Sequence, residues 1–414
     1  MGIYKDFYGK AREEGLTRAA LEETLTLMDQ ATSIMRVPAE DLKILMPHPD
    51  GMVVGDNSYL FREVDPNKIG SDSAGLMEYI RKMRNVSIPQ RFFASRGCGP
   101  EVVKACHYLL AIQHGHGYAD ADILVPDAQL MATLCAQLGT GKITLEGKEP
   151  LLPLLYLGSL IQVRDKLEFV VRSLVDARGE RRLYRAFAST SHYQLRSQIQ
   201  TLDLIDRMNE IHPVELMRWS VTHQQTVVDL AFTEPVGGIM KDYRRGVRYE
   251  FSDIGDGSYR LTGFWYDAAG AMVAVAGKGE SESWVSAQHS AKYSQEDLIK
   301  RFFGQIFPRY EDNNLVMLRA MSMPVLSIRK AAGSLFRTCR FKSAIGLSAL
   351  QAVWGTMPEE AFPDKPGCLM DALQAMLEGL DGIAAHAGSH LYWFAFGSLF
   401  DSDKLAEAVR ASKA

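Results

Sequence analysis

Residues 247–276 read VRYEFSDIGDGSYRLTGFWYDAAGAMVAVA, and this stretch decides the fold class. Apolar and polar residues alternate over 247–251, which is the period-two pattern of a strand with one buried face. The loop 253–257 is rich in Asp and Gly, which tolerate the left-handed conformation of turns. Two more strands are predicted at 259–266 and 272–276, separated by a second turn. The stretch therefore predicts a three-stranded antiparallel meander.

A hairpin is predicted upstream of the meander. The segments 167–175 and 183–189 have the composition of strands, and the four residues DARG at 176–179 have that of a turn. The hairpin and the meander together predict that residues 156–312 form a β-rich central domain.

Helices are predicted on both sides of this domain. Apolar residues recur at helical spacing over residues 1–155 and 313–414, so both regions are predicted to be mainly helical. The predicted fold class is therefore α+β, with antiparallel hairpin and meander between helical flanks. Individual helices are predicted, among other places, at 17–35, at 102–112 and, with Ser294 as N-cap, at 294–307.

The charge balance and the cysteine content narrow the class of protein. The 414 residues carry 46 Lys and Arg against 50 Asp and Glu, a formal net charge of −4. This balance excludes a uniformly basic, histone-like protein. Five scattered cysteines are typical of reduced thiols in a cytosol. No apolar leader is evident, and no apolar run reaches the roughly 20 residues that span a bilayer, so we expect a cytoplasmic protein without membrane association.

Basic residues are segregated along the chain. The stretches 79–100, 181–202 and 313–358 contain no Asp or Glu and carry 5, 4 and 6 Lys or Arg residues respectively. A net-acidic chain with basic stretches can bind a polyanion locally and still stay soluble. The pattern therefore favours a nucleic-acid-binding surface.

The second basic stretch combines arginines with aromatic residues. Guanidinium groups neutralise phosphates, and aromatic rings stack on unpaired bases, so this combination suits single-stranded nucleic acid. Core packing is the alternative interpretation for each aromatic residue. The residues predicted to bind here are Arg181, Arg182 and Arg185 for phosphates, and Tyr184 and Tyr193 for stacking.

The third basic stretch contains a predicted amphipathic helix at 325–340. Projection at 100° per residue places the basic residues on one face and Ile328, Ala332, Leu335 and Cys339 on the neighbouring face. Either the helix docks by its apolar side and its cationic side is incidental, or the cationic side contacts phosphates or an acidic partner. The predicted contact residues are Arg329, Lys330, Arg337 and Arg340.

Signals for catalysis and metal binding are weak. The motif GTGK at 139–142 lacks the Gly and the Ser or Thr that the Walker pattern requires. No HExxH, CxxC or GxSxG motif occurs. Asp253, Asp256 and His289 are the residues that a metal-dependent nucleic-acid enzyme would use, although Asp in a Gly-containing turn needs no metal to explain it. We therefore predict no catalytic residue, metal or cofactor.

Residues 165–305 resemble an uncharacterised family of domains borne by phages and plasmids. The resemblance rests on RAFAS at 185–189 followed by Tyr193, on SDIGDGS at 252–258, and on QHS at 288–290. The family pattern has Asn where Phe251 stands and Glu where Asp253 stands. Because the family has no settled activity, the resemblance implies a mobile-element origin and a bacterial host rather than a reaction.

Three functions are compatible with these patterns. The first is a non-enzymatic phage- or plasmid-encoded protein that binds or anneals single-stranded DNA, in the form of an oligomer. The second is a structural or assembly protein of a virion or complex, whose basic helix binds an acidic protein partner. The third is the metal-dependent nucleic-acid enzyme. Segregated charge favours the first.

Overall fold

A computed structural model describes part of the chain. The described residues are 13–48, 51–54, 60–61, 69–70, 109–112, 122–124, 133, 137, 167–175, 182–190, 193–194, 196–221, 225–237, 241–252, 258–268, 270, 272–276, 283–289, 294–311, 320–338, 363–373 and 402–413.

The described strands are numbered in chain order. They are β1 (Glu13–Gly15), β2 (Thr32–Pro38), β3 (Leu42–His48), β4 (Gly51–Val54), β5 (Leu60–Phe61), β6 (Ile69–Gly70), β7 (Leu109–Ile112), β8 (Asp122–Leu124), β9 (Leu167–Val175), β10 (Arg182–Thr190), β11 (Val214–Val221), β12 (Thr226–Phe232), β13 (Tyr243–Phe251), β14 (Tyr259–Asp267), β15 (Met272–Val275), β16 (Trp284–Ala287), β17 (Pro324–Val325) and β18 (Gly367–Cys368).

The described helices are numbered in the same way. They are α1 (Arg18–Ala31), α2 (Gln200–Ile211), α3 (Gln295–Arg301), α4 (Ile328–Thr338) and α5 (Ser402–Lys413). A π-helical turn (Phe302–Ile306) and a 3-10 turn (Phe307–Arg309) follow α3 directly.

A seven-stranded antiparallel sheet forms the centre of the fold. Its order is β1-β11-β12-β13-β14, after which β15 and β16 pair with opposite ends of β14. Gly263 of β14 lies at the junction, since its N–H donates to Ser283 O and its carbonyl accepts from Ala276 N. The other sheets are β10-β9-β2, β5-β4-β3-β7-β8-β6 and the pair β17-β18.

The short strand β1 closes one edge of the central sheet. It pairs with β11 from Glu13↔Val221 to Gly15↔Trp219. The Trp219 indole lies against Gly15, where an added Cβ would come within 2.5 Å of the ring. The indole Nε1–H also donates to Thr17 O at 2.9 Å, 202 residues away in sequence. A segment of the N-terminal region is therefore an integral part of this sheet.

The main hydrophobic core includes buried apolar residues of one face of the central sheet, such as Val228, Tyr249 and Leu261, together with Phe264 and Tyr266 of the opposite face. Helices α1, α2 and α3 and the turns after α3 contribute apolar side chains to the same cluster as the sheet. Helices α4 and α5 contribute to it as well, through residues such as Leu335 and Leu405. Described residues of all three regions thus share one core, and the domain boundaries at 155 and 312 stay predictions.

The fold is α+β, as predicted. The hairpin is confirmed as β9 and β10, paired in register from Leu167↔Thr190 to Val175↔Arg182. The meander is confirmed as β13, β14 and β15. Ser294 is confirmed as the N-cap of α3, because its Oγ accepts from Asp297 N at 3.0 Å.

Two predicted helices are wrong in part. The helix predicted over 17–35 ends at Ala31, and the chain continues as β2, which pairs with β9. The β-branched residues of β2, Thr32, Ile34 and Val37, favour this strand, and its partner lies far away in sequence. The helix predicted over 102–112 is wrong at 109–112, which form β7.

Candidate functional site

The second face of the central sheet carries charged and polar residues, and we call it the polar face. Directly paired residues of neighbouring strands share one face of a sheet. The register therefore defines two adjacent rows on this face, Arg218–Asp229–Arg248–Thr262–Trp284 and Glu14–Ser220–Val227–Glu250–Arg260–Ser286.

The polar face is buried over its central strands. Asp229 is 1% exposed, Arg248 5% and Glu250 3%. The alternation over 247–251 predicts a strand with one buried face. This prediction is wrong, because residues 247–251 of β13 are buried on both faces. A charged side chain in such a position needs a partner of opposite charge.

Asp229 binds two arginines at once. Arg248 donates from Nε to Oδ1 at 2.7 Å and from Nη2 to Oδ2 at 2.9 Å, and Arg218 donates from Nε to Oδ2 at 2.5 Å. Although burial raises the pKa of the carboxyl, the charges and hydrogen bonds of Arg248 and then Arg218 outweigh it and hold the pKa of Asp229 at about 2. The carboxylate is therefore ionised throughout the physiological pH range.

A β-bulge brings Arg218 to this cluster. Leu216 pairs with Leu230 and Arg218 pairs with Asp229, so Met217 is the extra residue of β11. In a regular strand, residues 216 and 218 would share a face. The bulge instead leaves Leu216 on the apolar face and places Arg218 on the polar face, in line with the role of bulges in redirecting side chains.

A cavity of about 330 Å³ opens beside the cluster, where β1 borders β11. Cavities of small-molecule sites have volumes from about 300 Å³ upward. Arg218 is about one third exposed there, with 35% of its side chain accessible. The lining residues are Glu14, Gly15, Leu16, Arg218, Trp219, Ser220, Val227, Asp229 and Arg248.

Polar atoms next to the cluster lack hydrogen bonds. Within the described part of the chain, neither carboxylate oxygen of Glu250 nor the hydroxyl of Thr262 has a hydrogen-bond partner. Arg260, directly opposite Glu250, stacks over the Trp284 ring at 4.6 Å from its centroid. Buried polar atoms in proteins are normally satisfied by protein or water, so the polar face retains hydrogen-bonding capacity for another group.

The arginines predicted in the hairpin do not share one face of their sheet. Arg182 pairs with Val175, Tyr184 with Ser173 and Arg185 with Arg172. Because strand positions alternate between faces, Arg182 and Tyr184 belong to one face and Arg185 to the other. The description of these three residues is limited to their backbone, and Arg181 lies outside the described residues.

Tyr193 packs against the ring of His289. Its ring stacks on His289 with a centroid distance of 5.0 Å, and its carbonyl accepts a hydrogen bond from Arg36 Nη2. The side chain is half-buried, and His289 already occupies one ring face. This geometry favours the core-packing interpretation over the base-stacking role that we predicted for Tyr193.

The amphipathic helix predicted over 325–340 is α4, which begins at Ile328, because Val325 belongs to β17. Ile328, Ala332 and Leu335 are buried. Lys330 and Arg337 are exposed, while Arg329 is half-buried. Cys339 and Arg340 lie outside the described residues.

Two interactions fix the first turn of α4. Ser327 Oγ accepts from Lys330 N at 3.0 Å, the geometry of an N-cap. The N–H groups of Ile328 and Arg329 donate to the carbonyls of Lys365 and Pro363, at 3.1 and 3.3 Å. The start of the helix is thus anchored to the segment 363–365, and its basic side keeps a defined direction.

The residues of the metal-enzyme alternative are only partly described. Asp253 and Asp256 lie outside the described residues. His289 is 7% exposed and packs against the rings of Tyr193, Tyr259 and Phe251. Within the described part of the chain, no three His, Cys, Asp or Glu side chains are arranged to hold a metal ion.

The sequence patterns did not reveal the Arg218–Asp229–Arg248 cluster. One signal was available, since Asp229 interrupts the otherwise apolar segment VVDLAF of β12. A lone acidic residue inside a buried strand requires a cationic partner. Its two partners lie on neighbouring strands, and no residue pattern that we identified predicts the bulge that positions Arg218.

The sequence matches no family model, no curated protein and no solved structure. The resemblance to the phage- and plasmid-borne domains therefore stays a prediction. Of the helices in the described ranges, none is both long and apolar enough to cross a membrane.

Proposed function

We propose that the protein is a non-enzymatic nucleic-acid-binding protein that acts on single-stranded DNA in the cytoplasm of a bacterial host, as part of a phage or plasmid system. The observation that carries this proposal is the exposed basic side of α4. Its sequence, IRKAAGSLFRT, contains three basic residues and no acidic residue.

The packing of α4 against the core supports a binding role for its basic side. The apolar residues are buried in the core shared with the central sheet, so the cationic residues face outward on a supported element. Lys330 and Arg337 are seven residues apart, which is two helical turns or about 10.5 Å along the axis. Two cations at this spacing can each contact a different phosphate of one strand.

Charge reversal on α4 tests the proposal. We expect Lys330→Glu combined with Arg337→Glu to weaken binding of a labelled single-stranded oligonucleotide. The slope of log affinity against log salt concentration should fall by about 1.4, because each phosphate contact on a single strand contributes about 0.7. Fluorescence anisotropy across a salt series, with single- and double-stranded oligonucleotides, measures both quantities.

A second double variant, with the same change in net charge as the α4 variant, is the control. Lys241→Glu combined with Lys300→Glu reverses two exposed lysines on other elements, and its salt slope should equal that of the wild type. Equal slopes for the α4 variant and the wild type would remove α4 from the interface.

Since Arg182 and Arg185 belong to opposite faces, their joint reversal should lower the slope by about 0.7 rather than 1.4.

Absence of binding at low salt would overturn the proposal as a whole. The basic side of α4 would then be a docking surface for an acidic protein partner, which is the second function predicted from the sequence. The proposed oligomer is tested in the same experiment, because binding by an oligomer saturates at more than one chain per short oligonucleotide.

A further inference from the structure

We propose that the last turn of α5 extends the basic side of α4 into one single-strand-binding surface, in which cations hold the phosphates and Leu326 contacts an unpaired base. This inference rests on the proposed function and names the contacts that continue the interface beyond α4. The observations that carry it are the attachment of α5 to residue 326, the charges at that end of the two helices, and the exposure of Leu326.

The hydroxyl group of Ser412 attaches the end of α5 to the segment that leads into α4. Ser412 is 2% exposed. Its Oγ donates to Val409 O at 2.7 Å within α5 and accepts from Leu326 N at 3.3 Å. Ala408 and Leu405, one and two turns earlier on α5, are buried in the same core cluster as residues of α4. The last turn of α5 therefore lies beside the start of α4.

Basic side chains lie on both sides of this junction. Arg410 and Lys413 are exposed in the last turn of α5, and Lys330 is exposed in the first turn of α4. Lys365, also exposed, belongs to the segment whose carbonyls accept from the first N–H groups of α4. Basic residues in a last turn offset the helix dipole, but that role does not require a second basic helix beside them.

The charge of this part of the fold stays positive when every described acidic residue is counted. The segments 320–338, 363–373 and 402–413 carry seven Lys or Arg residues and four Asp or Glu residues, a net charge of +3. Both acidic residues of α5, Asp403 and Glu407, precede its last turn. Within the described part of the chain, Lys330, Arg410 and Lys413 form no ion pair. Their charges therefore suit the phosphates of a strand.

Leu326 gives this surface a contact for a base. Its side chain is 59% exposed, although Val325 and Ser327 on either side are buried. The hydrogen bond from its N–H to Ser412 Oγ fixes its backbone beside α5. The faces of unpaired bases are apolar and accessible in a single strand, whereas in a duplex they stack on one another. An exposed leucine beside cations therefore favours an unpaired strand over a duplex.

Neutralisation of the last turn of α5 tests the phosphate contacts. We expect Arg410→Gln combined with Lys413→Gln to lower the slope of log affinity against log salt concentration for labelled oligothymidine by about 1.4, at about 0.7 for each phosphate contact. Lys241→Gln combined with Lys404→Gln changes the net charge equally, with Lys404 in the first turn of α5, and its slope should equal that of the wild type. Equal slopes for the two double variants in fluorescence anisotropy would overturn the proposal.

Leu326→Ser tests the base contact, and it leaves the backbone hydrogen bond to Ser412 in place. We expect the affinity for oligothymidine to fall about 3- to 10-fold with an unchanged salt slope, because an apolar contact is lost and no charge changes. An abasic strand of the same length keeps the phosphates without the bases, so the variant should bind it as the wild type does.

The control for Leu326 is a leucine on another part of the surface. Leu16, between β1 and α1, is 71% exposed, and Leu16→Ser should bind both strands like the wild type. An oligothymidine affinity of Leu326→Ser equal to that of the wild type, or an equal loss on the abasic strand, would refute the base contact.

Failure of this inference is distinct from failure of the proposed function. If the wild type binds no oligonucleotide at low salt, both are overturned, and the cations of the two helices are a docking surface for an acidic protein partner. If Lys330→Glu combined with Arg337→Glu lowers the slope while the α5 and Leu326 variants behave like their controls, the proposed function stands and this inference is wrong. Circular dichroism of each variant before titration shows that it is folded.

Discussion

Replacement of Asp229 by Asn should lower the free energy of unfolding by about 3–5 kcal/mol, the typical loss when one partner of a buried ion pair is removed. Asn is nearly the same size as Asp, so packing is preserved and only the charge is lost. Arg248, 5% exposed, would then lose the carboxylate that its Nε and Nη2 contact, and Arg218 would lose its hydrogen bond from Nε to that carboxylate. Urea denaturation followed by far-UV circular dichroism measures the loss.

An exposed ion pair is the control for this substitution. Glu215 pairs with Arg244 at 2.6 Å on the same sheet but is 60% exposed. Glu215→Gln should cost less than about 1 kcal/mol, because exposed pairs contribute little in water. Similar losses for the two variants would contradict the assignment of Asp229 as the buried centre of the cluster.

The stability of the wild type should depend on pH through Asp229. Its folded pKa of about 2 lies below the ordinary value of 3.8, so the native state favours the ionised form. The resulting stabilisation is fully present above about pH 4 and disappears as the pH falls through about 2. The shift corresponds to about 2–3 kcal/mol. Asp229→Asn should lack this component of the acid transition, and an acid profile unchanged from the wild type would contradict it.

Gly263→Ala is expected to have the second large effect on stability, a loss of about 1–3 kcal/mol or more from overpacking. A Cβ at this position would lie 2.5 Å from Ala276 Cβ and 2.9 Å from both Ile306 Cγ2 and Tyr310 Oη. Each of these contacts is shorter than real Cβ atoms allow. Relief would require a shift of β15 or of the segment after α3, and both pack against β14.

The control for Gly263 is a glycine in open space. Gly304 lies in the π-helical turn, and among the described residues no atom beyond its own helix backbone and chain neighbours comes within 4 Å of an added Cβ. Gly304→Ala should be neutral or should stabilise the protein by up to about 1 kcal/mol, because it restricts the unfolded chain. Thermal unfolding of both variants separates the steric effect from the general effect of replacing glycine. A Tm for Gly263→Ala equal to that of the wild type would disprove the steric argument.

The hairpin and the meander were predictable because their signals are local. Alternation within each strand and turn residues between strands specify β9–β10 and β13–β15 over short distances. The end of α1 was not predictable in this way. Residues 32–35 continue the helical spacing of apolar residues, and their strand conformation depends on pairing with β9, more than 130 residues later.

The candidate site was less predictable than the fold. The basic face of α4 follows directly from periodicity, and the buried positions of Ile328, Ala332 and Leu335 confirm its apolar face. The Asp229 cluster requires the register of three strands and a bulge, and neither is encoded in local composition. Alternation also does not reveal whether the second face of a strand is covered, which is why Arg248 and Glu250 were expected at the surface.

The pairing of β1 with β11 has a consequence for synthesis on the ribosome. Thr17 and its partner Trp219 are separated by 202 residues, which take roughly 10–40 s to translate at 5–20 residues per second. During that interval the nascent N-terminal strand has no access to its native neighbour. Pairing of β1 therefore waits for β11 to emerge, and the central sheet is complete only after β16, its last strand in the chain.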